Sequence, residues 1–184
     1  MPRFRVYTIG HGGRTVDEIV HQIRAKGIQF VIDVRSVPYS KYQPEFARKP
    51  LAKALRDAGL KYGFMGHQLG GRPDDESCYD NNHVNYEKVR AMPFFKEGIA
   101  RLRSACERDY IVCLLCAEAN PTQCHRSGMI GEALVQEGIE VEHLLKDGSS
   151  RSQEEVMYER TGGQEELFPD FPSPRKDFST RPVR

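Results

Sequence analysis

The stretch IVCLLCAEANPTQCHR, residues 111–126, decides the fold of this chain. Its first half is almost continuously apolar, which is typical of a strand buried on both faces of a parallel sheet. Its second half contains Asn120 and Pro121, residue types that favour the N-cap and the first turn of a helix. The stretch therefore predicts a buried strand over residues 110–115 and a helix from about 121 to 137.

Similar units of strand and helix surround this stretch. Four further apolar runs, each bounded by glycine, proline or polar residues, predict strands over residues 5–9, 29–34, 60–64 and 140–145. One intervening helix should open at Thr15 and Glu18, which have capping-box spacing, and two others near Pro50 and Pro93. The alternation favours an α/β fold of three layers, in which helices cover both faces of a mostly parallel sheet of about five strands.

The chain divides into a domain and an extension. Residues 1–147 hold the predicted strands and form the α/β domain. Residues 148–184 are rich in Gly, Ser, Pro and charge, and we expect a C-terminal extension that is partly flexible. Inside the domain, the polar stretch from 67 to 90 predicts a long loop that is functional or mobile.

The composition excludes some classes of function. The 184 residues include 27 basic and 26 acidic side chains, so the net charge of +1 gives no bulk attraction to nucleic acid or membrane. No apolar run approaches the roughly 20 residues of a membrane span. Because the N-terminus has no signal-peptide pattern, we expect a cytoplasmic protein whose five cysteines are reduced.

The polar residues of chemical interest follow the predicted strands. In such sheets, ligands bind beyond the carboxyl ends of the strands, so these side chains should converge on one crevice. The candidates for this site are His11, Asp33, Arg35, Gly70, Gly71, Cys116, Glu118, Cys124, His125 and Arg126.

Two cysteines and three other groups are the catalytic candidates. Cys116 or Cys124 would be the nucleophile, because the positive end of a helix dipole lowers the pKa of a thiol. Proton transfer would fall to His11, Asp33 or Glu118. The alternative for both cysteines is a structural role as small buried side chains.

The remaining candidates suit an anion. Arg35 and Arg126 would donate paired hydrogen bonds to phosphate or carboxylate, and His125 would lie beside them at the start of the helix. Gly70 and Gly71 would form a backbone cradle. A structural ion pair with Asp33 is the alternative role for Arg35.

Three familiar sites fit less well. A cysteine phosphatase needs Cys-x5-Arg, and Arg126 lies too far from Cys116. A zinc ribbon needs two Cys-x2-Cys pairs, but Cys113 and Cys116 lie in one strand, point apart and have no second pair. In a continuous helix, the side chains of Cys124 and His125 would diverge by about 100°, which disfavours a metal bound by both. We therefore assign no metal or cofactor.

Four ordered motifs carry a family resemblance: YTIGH from residue 7, DVRSVPYS from residue 33, LGG from residue 69, and CAE from residue 116 followed by CHR from residue 124. Together they resemble the bacterial and archaeal domain-of-unknown-function family 488 over about residues 5–145. The resemblance implies an α/β domain whose motif residues cluster. It brings no established reaction.

The C-terminal tail contains QEELF, residues 164–168. Gln164, Leu167 and Phe168 fit the Gln-x-x-Leu-Phe form of peptides that dock on the bacterial sliding clamp, where the two apolar side chains enter a pocket. The alternative is that Leu167 and Phe168 pack back on the domain.

Three functions remain after these exclusions. The leading hypothesis is an enzyme that acts on a phosphate-bearing nucleotide or nucleic-acid substrate through the Cys, Glu, His and Arg side chains of the site. The alternative is a non-catalytic nucleotide- or nucleic-acid-binding accessory module in DNA metabolism. A thiol redox sensor built on Cys116 and Cys124 is the third.

Overall fold

The computed structural model describes residues 4–162, and a six-stranded sheet lies at the centre of this part. In chain order the strands are β1 Arg5–Gly10, β2 Phe30–Asp33, β3 Lys61–Phe64, β4 Tyr79–Asp80, β5 His83–Val84, β6 Val112–Cys116, β7 Glu140–Leu144 and β8 Ser150–Ser152. The main sheet has the order β3-β2-β6-β1-β7-β8, while β4 and β5 form a separate antiparallel hairpin. Every neighbouring pair in the main sheet is parallel except β7 with β8.

Helices cover both faces of this sheet. They are α1 Val16–Ala25, α2 Arg48–Asp57, α3 Gly66–Leu69, α4 Tyr86–Ala91, α5 Pro93–Glu107, α6 Glu132–Gln136 and α7 Gln153–Arg160. The predicted three-layer α/β fold is therefore confirmed. Within residues 4–162, every helix is too short or too polar to cross a lipid bilayer.

Two hydrophobic cores lie on opposite sides of the sheet. On the α1 face, Ile19 and Ile23 of α1 pack with Leu51 and Leu55 of α2. On the α5 face, the core centres on side chains of α5: Phe95, Ile99, Leu102 and Cys106. All five residues of β6 are buried between these cores, as its apolar run predicts.

The predicted helix starts reflect local hydrogen bonds. Thr15 and Glu18 form both bonds of a capping box, with Glu18 N 3.2 Å from Thr15 Oγ1 and Thr15 N 2.7 Å from Glu18 Oε2. Pro93 occupies the first turn of α5, where its missing N–H costs nothing. These bonds satisfy backbone groups that a helix terminus would otherwise leave without partners.

The prediction of one helix over 121–137 is wrong at its start. Asn120 does accept a hydrogen bond from Thr122 N, but it caps only a 3₁₀ turn over Pro121–Gln123. Cys124 then has extended backbone, with φ −119° and ψ 147°. Helical backbone continues only from a π-helical segment, Arg126–Gly131, that leads into α6.

The prediction of a long loop over 67–90 is also wrong in part. This stretch contains the end of α3, the β4–β5 hairpin and most of α4. Cys78, Val84 and Val89 are buried in the core of the α5 face, which holds the segment in place. Those three apolar side chains are too widely spaced to show helical or strand periodicity in the sequence.

The predicted extension begins with ordered structure. Strand β8 pairs with β7, and Val156 of α7 is fully buried. Residues 150–160 therefore pack onto the sheet. The sliding-clamp peptide, with Gln164, Leu167 and Phe168, lies outside the described residues and stays a prediction.

Candidate functional site

The carboxyl edge of the sheet carries two polar clusters, one on each face. The carboxylate cluster, on the α1 face, consists of His11, Asp33, Arg35 and Tyr62. The thiol cluster, on the α5 face, consists of Thr8, Cys116, Cys124, His125 and Arg126. Their separation follows from strand register, because Asp33 lies opposite Leu115, and the next residue along β6, Cys116, points to the other face.

The carboxylate cluster is a closed ion pair. Asp33 is completely buried and accepts hydrogen bonds from Arg35 Nε at 2.9 Å, from the Arg35 guanidinium NH2 at 2.6 Å and from the Tyr62 hydroxyl at 2.8 Å. Burial, followed by the charge of Asp33, raises the pKa of Tyr62. Asp33 therefore positions Arg35, the role that the sequence analysis kept open as the alternative.

His11 lies beside this ion pair. Its ring stacks on Phe46 with centroids 4.3 Å apart, and its Nε2 lies 3.3 Å from the NH1 atom of Arg35. Burial and then the charge of Arg35 lower the pKa of His11 to about 4. The imidazole is therefore neutral at pH 7, but a pKa this low makes it a weak base.

The thiol cluster brings two sulfur atoms and an imidazole together. The Sγ atoms of Cys116 and Cys124 are 3.4 Å apart, and the Nδ1 atom of His125 is 3.8 Å from each. The Nε2 atom of His125 lies 3.1 Å from the carbonyl oxygen of Val34. Because a carbonyl only accepts, Nε2 carries the proton in the neutral ring and the lone pair of Nδ1 faces the two sulfurs.

A buried guanidinium completes the cluster. Arg126 is 1% exposed, and its Nε donates to Cys124 Sγ at 3.2 Å. Its NH1 lies 3.3 Å from Thr8 Oγ1 and its NH2 lies 2.6 Å from the backbone oxygen of Glu118. Among the described residues, these hydrogen-bond partners are a thiol, a hydroxyl and a carbonyl. A buried cation needs a negative partner, and ionised Cys124 supplies one.

The two thiols differ in their tendency to ionise. Burial alone would raise the pKa of Cys124, but the hydrogen bond with Cys116 and the charge of Arg126 hold it well below its usual value. The hydrogen bond to Cys124 and then burial raise the pKa of Cys116 well above its usual value. These opposite shifts make Cys124 the thiol of the pair that ionises more readily, with Cys116 as its hydrogen-bonding partner.

A buried chain of hydrogen bonds, called the relay below, extends from Arg126 into the core. Thr8 Oγ1 lies 2.7 Å from His143 Nδ1, and His143 Nε2 lies 2.8 Å from Gln153 Oε1. Gln153 Nε2 donates to the carbonyl of Ser127 at 3.0 Å, so its Oε1 accepts from His143. Thr8 then accepts from Arg126 and donates to His143, and each polar atom in the relay has a defined role.

The remaining candidates lie around the thiol cluster. A Cβ atom on Gly71 would be 2.8 Å from His125 Nδ1, so only glycine lets the loop lie against that ring. A side chain on Gly70 would overlap Ser36 and the carbonyl of Gly66. Both glycines therefore serve close packing. For Glu118 the contact to the cluster runs through its carbonyl oxygen, and a proton-transfer role for its carboxylate stays a prediction.

The sequence analysis expected one crevice and missed part of the relay. Thr8, His143 and Gln153 were not identified, and neither was Tyr62. One signal existed, because a polar residue in each of two apolar strands, Thr8 and His143, becomes a facing pair in the β1–β7 register.

We expected Cys124 and His125 to diverge on a helix, but the extended backbone of Cys124 turns its thiol toward the ring of His125.

A family model described as "Domain of unknown function DUF488" matches residues 15–134. The matched range runs from the N-cap of α1 into α6 and includes every cysteine of the chain. Neither the curated proteins nor the solved structures include a match to this chain.

Proposed function

Because this chain belongs to the DUF488 family, whose description names no reaction, we propose a function from its site: an enzyme that acts on a phosphate-bearing nucleotide or nucleic-acid substrate with the Cys124 thiolate as nucleophile. The observation that carries the proposal is the contact of buried Arg126 Nε with Cys124 Sγ at 3.2 Å. A thiolate that is already formed at neutral pH attacks without waiting for a base to remove its proton.

The neighbours of Cys124 can handle protons during such a reaction. Cys116 holds a proton 3.4 Å from Cys124 Sγ, and the lone pair of His125 Nδ1 is 3.8 Å from both sulfurs. His125 can therefore accept the Cys116 proton and pass it to a departing group. His11 lies in the carboxylate cluster on the other face, and with a pKa lowered to about 4 it is a weaker base than an ordinary histidine.

The surroundings of the cluster favour an anionic, aromatic substrate. His125 is its half-buried member, and exposed Arg72 follows Gly71, which packs against the His125 ring. The segment after β2, whose Phe46 stacks on His11 of the carboxylate cluster, presents Tyr39, 72% exposed, and Tyr42, 91% exposed. Arginine attracts phosphate, and exposed tyrosine rings can stack on bases.

The test is the pH dependence of alkylation by iodoacetamide, a small uncharged reagent, followed by peptide mass spectrometry. We expect Cys124 to react with a midpoint well below that of an ordinary thiol, and Arg126→Met to move that midpoint upward by at least about one pH unit, which corresponds to about 1.4 kcal/mol. Cys113, equally buried on the α1 face with its pKa raised to about 12 by burial, is the internal control. Alkylation of Cys124 no faster than an ordinary thiol at pH 7 would contradict the nucleophile.

A second arm tests the substrate class. Inorganic phosphate, nucleoside monophosphates and a short single-stranded oligonucleotide are added to the alkylation reaction. We expect at least one of them to protect Cys124, and Arg72→Met to weaken that protection. If Cys124 alkylates fast and none of the three compounds protects it, the phosphate-bearing substrate is rejected, while the Cys124 nucleophile is retained.

The sulfur–sulfur distance of 3.4 Å favours a thiol redox sensor as the second candidate. Peroxide would oxidise the Cys124 thiolate to a sulfenic acid with release of hydroxide, and the Cys116 thiol would displace water to form a disulfide. The expected product is two hydrogen masses lighter than the reduced chain. If both thiols remain reduced in mild peroxide, the redox-sensor function is contradicted.

A further inference from the structure

We propose that Cys116, Cys124 and His125 form a binding site for one soft or borderline metal ion of the zinc type. The site deepens the function proposed above, because it uses the sulfur assigned as the nucleophile. The consequence for activity rests on that proposal, whereas the metal binding does not.

The first argument is the spacing of the three donor atoms. A tetrahedral zinc ion with Zn–S of about 2.3 Å and Zn–N of about 2.0–2.1 Å holds its ligands about 3.8 Å apart for S–S and about 3.5 Å for S–N. The corresponding distances here are 3.4 Å between the sulfurs and 3.8 Å from each sulfur to Nδ1. An ion fits after shifts of a few tenths of an ångström.

The second argument is the orientation of the imidazole. Metal-binding histidines usually donate their other N–H to a carbonyl or carboxylate, which fixes the ring and its tautomer. His125 Nε2 lies 3.1 Å from the carbonyl of Val34, so the free lone pair belongs to Nδ1, the atom that faces the sulfurs. Gly71 packs on the same ring and restricts its movement.

The third argument is the donor chemistry. Two thiolates and an imidazole select zinc or copper(I) over magnesium or calcium, which prefer oxygen ligands. Metal binding removes the proton that Cys116 and Cys124 otherwise share, so both sulfurs become ligands. The N–H groups of Arg126 that reach Cys124 Sγ, from Nε at 3.2 Å and from the backbone at 3.5 Å, then act as hydrogen-bond donors to a metal-bound thiolate.

Three protein donors leave one tetrahedral position for an external ligand, as in sites where a metal binds substrate or water. Because His125 is only half-buried, the ion can enter from its side. A bound ion occupies the Cys124 lone pairs and blocks alkylation. Zinc therefore switches the thiolate off, and a chelator restores it.

The test uses the full-length reduced chain with Zn²⁺ and Co²⁺ as probes. We expect one Zn²⁺ per chain after desalting. The Co²⁺ complex should show sulfur-to-cobalt charge transfer and the intense visible bands of tetrahedral coordination. Cys116→Ser, Cys124→Ser and His125→Ala should each lower the affinity by at least about tenfold, whereas Cys113→Ala, three residues before Cys116 on the other face, should bind normally. Binding that survives all three ligand substitutions, or Co²⁺ spectra without sulfur charge transfer, would overturn the site.

A measurement on the unmodified sequence covers variants that fail to fold. Zn²⁺ should protect Cys116 and Cys124, but not Cys78, from iodoacetamide, and a chelator should reverse the protection. Fast alkylation of Cys124 that Zn²⁺ does not slow would remove the metal site and leave the proposed nucleophile. If the chain binds Zn²⁺ tightly but its thiols alkylate slowly without metal, the metal site stands and the proposed nucleophile is removed.

Discussion

Arg35 and Arg126 are both almost completely buried at the same edge of the sheet, but different anions neutralise them. Arg35 pairs with the carboxylate of Asp33, 2.6 Å from its guanidinium. Arg126 contacts Cys124, a thiol whose pKa Arg126 and the hydrogen bond with Cys116 hold well below its usual value. The carboxylate cluster therefore holds a structural ion pair, whereas the Cys124 sulfur of the thiol cluster can act as a nucleophile, take up a proton or bind a metal.

Substitution of Arg35 should give the largest loss of stability. Arg35→Met leaves the Asp33 carboxylate buried without its cation, which costs about 3–5 kcal/mol. Urea unfolding at pH 7 measures this loss. Arg56→Met, at an exposed position of α2, is the matched control and should stay within about 0.5 kcal/mol. Equal stabilities of the two variants would show that Asp33 does not need Arg35.

Acid should act through two buried neutral histidines, His11 of the carboxylate cluster and His143, which hydrogen-bonds to Thr8 of the thiol cluster. Burial lowers the pKa of His143 to about 4, and His11 has a similar pKa, both below the 6.5 that is usual for histidine. Between pH 6.5 and 4 the unfolded chain binds more protons than the folded chain, so stability is lost as pH falls through this window. For His143 the loss amounts to about 3 kcal/mol.

The contribution of His143 can be separated from that of acidic groups. His143→Gln keeps an acceptor for Thr8 and a donor for Gln153 but does not titrate. We expect its unfolding free energy to change less steeply from pH 6.5 to 4, by about 1.4 kcal/mol per pH unit. His21→Gln, on an exposed turn of α1, should keep the original slope. If the unfolding free energies of the two variants change equally with pH, His143 is not neutral in the folded protein.

Arg126→Met should lower the free energy of unfolding less than Arg35→Met does. The difference tests directly whether the two buried arginines have different kinds of anionic partner. In Arg126→Met, Cys124 can take up a proton and become a neutral thiol, whereas Arg35→Met leaves a carboxylate buried without its cation. The remaining cost, about 1–3 kcal/mol, comes from the acceptors on Thr8 and Glu118 that lose a donor. Urea unfolding of Arg126→Met beside Arg35→Met measures it. A loss as large as that of Arg35→Met would mean that Cys124 cannot be neutralised in place.

The smallest effect should come from the relay behind Arg126. Thr8→Val keeps the shape of the side chain but removes the acceptor for Arg126 and the donor for His143, which costs about 1–2 kcal/mol. Thr8→Ser retains the hydroxyl and is the control for polarity. Thermal unfolding compares the two, and the alkylation midpoint of Cys124 reports whether Arg126 has moved. A valine variant with the stability of the serine variant would show that the relay is not coupled to the core.

The sequence predicted what depends on local pattern and missed what depends on register. The apolar run of β6 and the capping box at Thr15 are local, and both are confirmed. Whether Asp33 and Cys116 share a face depends on which residue of β6 lies opposite Asp33, and a shift of one residue would reverse the answer. The sequence therefore predicted one crevice, whereas the observed register places the polar side chains in two clusters, one on each face of the sheet.

The Cys124 turn shows a second limit. Asn120 and Pro121 are strong helix-start signals, and they do start a turn, but the helix proper begins about five residues later. The buried side chain of Arg126 and the hydrogen bonds of Ser127 to Pro121 O and Cys124 O stabilise the break. Those contacts are tertiary or depend on burial, so residue preference alone could not reveal them.

Gln153 has a consequence for how the protein is made. A nascent chain that has emerged from the ribosome only as far as β7 already contains Cys116, Cys124, His125 and Arg126 but lacks the amide that accepts from His143 and donates to Ser127. Domains fold as their residues emerge during synthesis. The thiol cluster therefore acquires its final hydrogen bonding only after the last helix of the described chain has left the exit tunnel, and its reactive sulfur is completed late in synthesis.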